Sequence, residues 1–303
     1  MRTFGKSIAA LSIGAVVCGL AARTIARAQA PAPDASAGVL AAAREALGGE
    51  KKLSAVKTVV ATGRTRQVRG DNLVPIEFEI AIELPDKYVR KDEIPAQESD
   101  PTTSGFNGDE LLQFPVPSPP PARAGGPPPP TADQQAAARR ARLGSVKQDF
   151  ARLALGMFAA SFSGYPLTCS YVGKAEAPQG KADVLDVKGP AGPGAFAARL
   201  FVNADTHLQI MITWQAPAPP MRPPSRGNMP PASAGQGAAR GDAPPPGAPP
   251  ESRLYFADYR DVGGLQLPFR LRRALGPDTV EETTFDSFKI NAKIDPKKFE
   301  VRK

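Results

Sequence analysis

The segment from Ile76 to Leu84 constrains the fold more than any other part of the sequence. Its apolar residues fall on every second position and are separated mainly by glutamate, in the order IEFEIAIEL. Because side chains alternate between the two faces of a strand, this pattern gives one apolar face and one acidic, solvated face. It therefore predicts a strand in an antiparallel sheet of which one face is covered.

Other parts of the chain have helix or strand patterns. A helix is predicted over 36–47, with Ser36 as its cap and two glycines at its end. A longer helix is predicted over 132–162, and Gly144 and Gly156 are expected to divide or loosen it. Further strands are predicted at 56–68, 87–94, 110–114, 167–177, 182–188, 196–203, 208–214 and 280–290, and a hairpin at 252–276 that turns at Gly263-Gly264.

The elements follow the order helix, strands, central helix and strands again. Helices that do not alternate with strands argue against a doubly wound α/β fold, and they favour an α+β fold in which a curved, open antiparallel sheet wraps helices. Two proline-rich stretches, 115–131 and 216–251, interrupt this pattern. They contain few large apolar side chains to offset the entropy of ordering, so we predict two disordered inserts.

The first residues have the composition of an export signal. Two basic residues precede an apolar stretch at 7–22, and Ala28-Gln29-Ala30 provides a small-x-small cleavage site. We therefore expect a signal peptide over 1–30 and one mature domain over 31–303 in the periplasm. An uncleaved anchor is less favoured, because about 20 apolar residues are needed to span a bilayer.

A lipid-modified N-terminus is the other alternative to simple cleavage. Cys18 would be the modified residue, but the bulky Val17 precedes it where a small residue would be wanted. After cleavage at the expected site, Cys169 would be the one remaining cysteine, and a single thiol forms no internal disulfide. The fold would then depend on its apolar core.

The positive charge of the chain lies partly in the predicted signal. Removal of four basic residues and no acidic residue lowers the formal net charge from +8 to +4. The remaining basic clusters, at 139–142 and 270–273, lack the interleaved aromatic residues typical of single-strand nucleic-acid binding. We therefore predict solvated basic faces and no nucleic-acid partner, with membrane contact that is peripheral at most.

The sequence offers few residues for catalysis or metal binding. His207 is the single histidine, and it falls beside a predicted turn. A Ser-His-Asp or Cys-His site would have to use it, and a zinc site would need carboxylates for most of its ligands. We predict no catalytic residue, no metal and no cofactor, and a hydrolase remains the least favoured class.

The apolar positions of the strands and of the central helix predict one facing surface. It would be either an ordinary closed core or a cavity between sheet and helix that admits an apolar ligand. The candidate ligand-binding residues are Phe78, Ile80, Ile82, Phe150, Leu153, Met157, Phe158, Ile210, Ile212, Trp214, Phe269 and Leu271, with Leu267 on the same face.

Six stretches, in this order along the chain, resemble the LolA/LolB-like periplasmic lipoprotein carriers. They are AREALGGEKKLSAVKTVVATG, SGFNGDELLQF, GKADVLDVKG, ARLFVNADTHLQIMITW, YFADYRDVGGLQLPFRLRR and INAKIDPKKFEV. The resemblance implies a curved, half-open antiparallel β-barrel with an N-terminal helix and a central helical lid. It also implies a hydrophobic concave face that receives acyl chains, whereas the two proline-rich inserts are foreign to the compact carriers.

Two functions follow from this resemblance and from the lack of a catalytic set. The first is a periplasmic binder or carrier of lipid or acylated lipoprotein, with acyl chains as the bound partner. The alternative is a non-catalytic envelope module with a structural or regulatory role, which would bind a protein partner on the same fold.

Overall fold

The computed structural model describes residues 34–70, 72–95, 97–117, 129–177, 180–191, 195–215 and 250–300. The predicted signal peptide and most of the two predicted inserts lie outside these residues. The second insert ends before residue 251, because a strand begins at Glu251.

Within the described residues, twelve strands form one sheet. Every neighbouring pair is antiparallel, as the alternating pattern of the sequence predicts. The strands are β1 (Thr58–Arg69), β2 (Asn72–Glu83), β3 (Lys87–Glu93), β4 (Thr102–Asn107), β5 (Glu110–Phe114), β6 (Thr168–Ala177), β7 (Gly180–Lys188), β8 (Ala197–Asn203), β9 (Gln209–Gln215), β10 (Glu251–Val262), β11 (Leu265–Leu275) and β12 (Asp278–Ile290).

The sheet consists of two meanders that join at its centre. The strand order is β5-β4-β3-β2-β1-β12-β11-β10-β9-β8-β7-β6, so the first and last of the described strands pair with each other. Strands β5 and β6 each pair with a single strand in the described part of the chain, and the sheet is therefore not closed. A large open antiparallel sheet of this kind agrees with the expected half-open barrel.

Irregular pairing allows the long sheet to curve. The β1–β12 register shifts at Thr62/Gly63, and further shifts occur in β6–β7, β8–β9 and β11–β12. Such bulges bend a strand and increase its twist. Gly63 is needed at the first of them, because a Cβ atom there would lie 2.3 Å from the carbonyl oxygen of Thr284.

In the described part of the chain, three α-helices accompany the sheet: α1 (Asp34–Ala46), α2 (Glu50–Ser54) and α3 (Ala132–Phe158). Two predictions about them are wrong. Ser36 lies inside α1, where its hydroxyl donates to the carbonyl of Cys169 on β6 at 3.2 Å, and it does not cap the helix. Helix α3 runs without a break through both of its glycines and ends at Phe158.

Gly156 is required inside α3 because a neighbouring side chain packs directly against its backbone. A Cβ atom at this position would lie 2.0 Å from the ring of Phe256, which is fully buried on β10. The start of α3 is a capping box, in which the Thr131 hydroxyl accepts from the backbone of Gln134 and the Gln134 side chain accepts from the backbone of Thr131. This arrangement satisfies two of the free N–H groups at the helix start.

Strand β4 and helix α2 are absent from the sequence-based prediction. The β4 sequence TTSGFN lacks an alternating apolar pattern, so its pairing with β3 and β5 depends on its neighbours. Gly105 permits this pairing, because a Cβ atom there would lie 2.1 Å from the carbonyl oxygen of Tyr88.

The main core lies between the inner face of the sheet and helices α1 and α3. The outer face of β2 is less solvated than its glutamates indicate. Ala81, Val89 and Leu112 are buried there with Ile294 and Phe299, the last of which belongs to a 3-10 turn at Pro296–Phe299. The C-terminal segment therefore covers part of the face that the alternating pattern predicts to be exposed.

Candidate functional site

The second half of α3 is an integral part of the core. Every residue from Phe150 to Phe158 is buried. Just before this run, the Lys147 Nζ contacts Asp109 Oδ1 in the β4–β5 turn at 2.7 Å, and at its end Arg44 Nη1 donates to the Phe158 carbonyl at 2.9 Å. This half of the helix is therefore bound to the β4–β5 turn near its start and to α1 at its end.

Most of the predicted apolar site residues pack against one another. Ten of them are buried in the main core cluster, and Leu271 is half-buried against it. Phe150 lies between aromatic neighbours, with its ring centroid 4.9 Å from that of Tyr88 and 4.6 Å from that of Phe162. The ten buried residues are Phe78, Ile80, Ile82, Phe150, Leu153, Met157, Phe158, Ile212, Trp214 and Phe269.

Ile210 is separated from the other predicted site residues. It belongs to a small cluster with Ala182 and Met211, against which Phe201 and Tyr255 pack. The β8–β9 register shifts between Phe201 and the residue after it, so the simple alternation from Ile212 back to Ile210 is broken. A bulge of this kind re-aims a side chain, and a period of two counted along the sequence cannot detect it.

A cleft of about 470 Å³ lies between α3 and the inner face of the sheet. Of the predicted site residues, four line it: Ile80, Leu153, Trp214 and Leu271. The remaining apolar and aromatic wall comes from Ile76, Tyr88, Val146, Leu254 and Phe285. The cleft therefore has an apolar floor that continues the main core.

Charged side chains also line the cleft, and sequence analysis assigned none of them to a site. They are Arg69, Arg90, Arg142, Arg152 and Arg273, together with Asp92, Asp149 and Glu281. Five guanidinium groups and three carboxylates give the lining a formal charge of +2. The alternation of side chains along β11 could have identified Arg273 as a cleft residue. Arg273 continues the strand face that carries Leu267, Phe269 and Leu271.

Arg90 is fixed within the cleft by polar and aromatic contacts. Its Nε donates to Asp92 Oδ1 at 2.7 Å, its Nη2 donates to the Thr65 hydroxyl at 3.1 Å, and its guanidinium carbon lies 4.6 Å from the Phe78 ring centroid. Burial alone would lower the pKa of Arg90, but attraction to Asp92 and the other acidic groups outweighs burial and raises it. Arg90 therefore remains a cation that is already neutralised by its neighbour.

Arg152 projects from α3 toward the aromatic wall. Its guanidinium carbon lies 4.2 Å from the Trp214 ring centroid and 5.1 Å from that of Phe196. Its Nη1 donates to Asp149 Oδ1 at 2.9 Å and its Nη2 donates to the Gln148 Oε1 at 3.4 Å. Burial lowers the pKa of Arg152. Attraction to Asp149 acts in the opposite direction but is weaker, so the pKa remains below its ordinary value.

The residues considered for catalysis or metal binding do not form a polar site. His207 is exposed in the turn between β8 and β9, with a φ of 58°. Burial raises the pKa of the Cys169 thiol, which disfavours the reactive thiolate. In the part of the chain that the structure describes, no group of three His, Cys, Asp or Glu residues is arranged to hold a metal ion.

No helix among the described residues is both long enough and apolar enough to cross a bilayer. No protein-family model matches the chain, and no curated protein matches its sequence. Solved structures do match, over most of the chain.

A LolA superfamily protein from Nitrosomonas europaea aligns with a TM-score of 0.50 at 11% identity, over 88% of this chain and 97% of that protein. A DUF1329 family protein from Desulfovibrio piger aligns with a TM-score of 0.42 at 8% identity, over 88% and 97%. A domain named for outer membrane lipoprotein sorting, from Vibrio parahaemolyticus, aligns with a TM-score of 0.45 at 7% identity, over 87% and 97%. The first of these likenesses supports the LolA-like fold that the sequence motifs resemble.

Proposed function

We propose that this protein is a non-catalytic binder or carrier of lipid or acylated lipoprotein, and that it acts in the periplasm. The observation that carries the proposal is the cleft of about 470 Å³ with an apolar floor, placed between α3 and the concave side of a LolA-like sheet. Pockets for small molecules are typically about 300–1,000 Å³. The volume therefore suits part of an acyl chain or a short amphiphile.

The energetics favour an apolar cargo at this floor. Burial of an acyl chain contributes about 0.8 kcal/mol per methylene. Six buried methylenes would therefore contribute roughly 5 kcal/mol before the entropic costs of binding. The half-buried Leu271 and Leu254 give such a chain a surface that is not yet occupied by other side chains.

Leu271 is the most informative residue for a test, because it lines the cleft without being fully enclosed in the core. Leu271→Asp should weaken binding of a fluorescent fatty-acid probe about 10-fold or more, because it replaces an apolar contact with a charge. The matched control is Leu275→Asp, on the same strand, where the leucine is 37% exposed and does not line the cleft. Titration of the probe into residues 31–303, with circular dichroism to confirm folding, is the measurement.

Selective loss of binding in Leu271→Asp would support the proposal. Equal binding by the parent and both variants would remove the cleft as the binding site. If the folded parent binds no probe, the carrier proposal fails, and the envelope interaction module becomes the better interpretation. Mass spectrometry of lipids that co-purify with the protein would then identify the natural cargo, or its absence.

A further inference from the structure

Two arginine side chains meet at one aromatic ring on the wall of the cleft. The guanidinium carbon of Arg152 lies 4.2 Å from the Trp214 ring centroid, and that of Arg273 lies 5.6 Å from the same centroid. Only 8% of the Arg152 side chain is exposed, whereas Arg273 is exposed to solvent. The pair thus extends from the interior of the cleft to its opening.

The buried member of this pair is incompletely satisfied. The Nε of Arg152 is buried and has no hydrogen-bond partner among the described residues. Its one carboxylate partner, Asp149, is 57% exposed and therefore partly screened by water. Repulsion from Arg273 adds to the effect of burial in lowering the pKa of Arg152. A buried cation in these surroundings is stabilised by a further anion.

The other carboxylates of the cleft do not supply that anion. Asp92 is bound to Arg90 at 2.7 Å. Glu281 faces Arg273 across the β11–β12 pair, yet its carboxylate accepts from the Thr283 hydroxyl at 3.4 Å. Within the described chain, no ion pair joins Arg273 to a carboxylate.

We propose that Arg152 and Arg273 bind the phosphate of an anionic phospholipid head group; this assignment rests on the proposed function and names its class of ligand. Guanidinium groups match the geometry of phosphate oxygens and hold them with charge-assisted hydrogen bonds. The indole of Trp214 orients both groups and excludes water from one side of the site. The head group would lie at the opening, with its phosphate between the two arginines.

The surroundings of the pair suit an amphiphile better than a free ion. Leu271 precedes Arg273 by two positions on the same face of β11, and Leu254 is the cross-strand partner of Arg273. Leu153 is adjacent to Arg152 in α3 and also lines the cleft. Apolar side chains thus continue from the charged pair to the floor, where acyl chains would lie.

The test compares two phospholipids with the same acyl chains and different head-group charge. Dihexanoyl phosphatidylglycerol is anionic, and dihexanoyl phosphatidylcholine carries a cation that offsets its phosphate. The parent protein should bind the glycerol form about 10-fold or more tightly than the choline form, as expected for hydrogen bonds to charged groups. Isothermal titration calorimetry of residues 31–303 with each lipid measures this ratio.

The decisive variant is Arg273→Gln, because this side chain is exposed and its replacement should leave the fold intact. It should bring the ratio close to one, because loss of this positive charge weakens binding of the anionic glycerol form more than binding of the choline form. The matched control is Arg270→Gln, an exposed arginine on the same strand that does not line the cleft. Arg152→Lys tests the buried partner, because it keeps the charge and loses the planar fork; it should lower the ratio with a melting temperature near that of the parent.

The outcomes separate this assignment from the proposed function. If the parent binds both lipids equally, the head-group site is wrong while the acyl-binding function stands. If it binds neither lipid, the proposed function itself fails. Inorganic phosphate is titrated as a third arm, and binding as tight as that of phosphatidylglycerol would overturn the head-group assignment in favour of a free anion. A preference that survives Arg273→Gln would also overturn it.

Discussion

The two halves of α3 share one secondary structure and have opposite surroundings. All residues from Ala132 to Arg142 are exposed, whereas all residues from Phe150 to Phe158 are buried. The first half is rich in alanine, glutamine and arginine, which are strong helix formers, and it begins with a capping box. The second half contains Gly156, a poor helix former, and several bulky apolar residues that are packed in the core.

This difference shows that the two halves of one continuous helix can be stabilised in different ways. Short isolated helices are marginal in water, so the exposed half gains from being the extension of an anchored helix. The buried half gains from contact with β4, β9 and β11 and from the aromatic cluster around Phe150. Substitutions should therefore act through helix propensity in the first half and through volume in the second.

The largest expected effect is at the aromatic cluster. Phe150→Ala should lower the free energy of unfolding by about 3–5 kcal/mol, because it leaves a cavity in a fully packed site. The matched control in the exposed half, Arg140→Ala, should change it by less than about 0.5 kcal/mol. Urea unfolding followed by circular dichroism measures both. Similar losses for the two variants would contradict the division of the helix.

A smaller effect, with opposite signs, is expected for the same substitution at the two glycines of α3. Gly156→Ala should lower the free energy of unfolding by about 1–3 kcal/mol, because the new methyl group meets the Phe256 ring. Gly144→Ala should raise it by about 0.5–1 kcal/mol, because nothing lies within 4 Å of the new Cβ and alanine is the better helix former.

The pair of glycine variants is informative because the chemical change is identical. Thermal unfolding of both variants beside the parent would show one transition shifted down and the other shifted up. Shifts of the same sign would mean that local propensity, and not the close approach to Phe256, decides the role of Gly156.

The smallest effect concerns the ion pair at the boundary between the two halves. A hydrogen bond from Lys147 lowers the pKa of Asp109. The stabilisation is therefore present above the unfolded-state pKa, near 4, and is lost as the pH falls through the lower folded-state pKa. Asp109→Asn should make the melting temperature less sensitive to pH below about 4. An unchanged acid profile would show that this pair does not anchor the helix.

The sequence predicts the antiparallel sheet well, because its signal is local. The alternation in β2 and the hairpin at Gly263-Gly264 depend on neighbours a few residues away, and both appear in the structure. Strand β4 was missed because TTSGFN has no such alternation and pairs only through β3 and β5. Ile210 was assigned to the wrong cluster because a bulge interrupts the alternation.

The candidate site was less predictable than the fold. An apolar period of two identifies which residues point inward, but not which of them meet other side chains and which leave space. Phe150 and Met157 fill the core, whereas Leu153 on the same helix also lines the cleft. Arg142 and Arg273 were interpreted as solvated and Arg152 was assigned no role, because spacing alone does not show that Arg152 and Arg273 share one indole ring.

The sequence by itself determined the type of each strong element and the face that it buries, because backbone geometry repeats every two residues in a strand and every 3.6 in a helix. The tertiary structure decided that β1 pairs with β12, that β5 and β6 remain edges, and that the charged side chains of β1, β3, β11, β12 and α3 surround one cleft. These features bring together residues that are far apart in the sequence. Val59 and Ile290, for example, are more than 200 positions apart. Their positions depend on how the whole sheet curves, and no local pattern records that curvature.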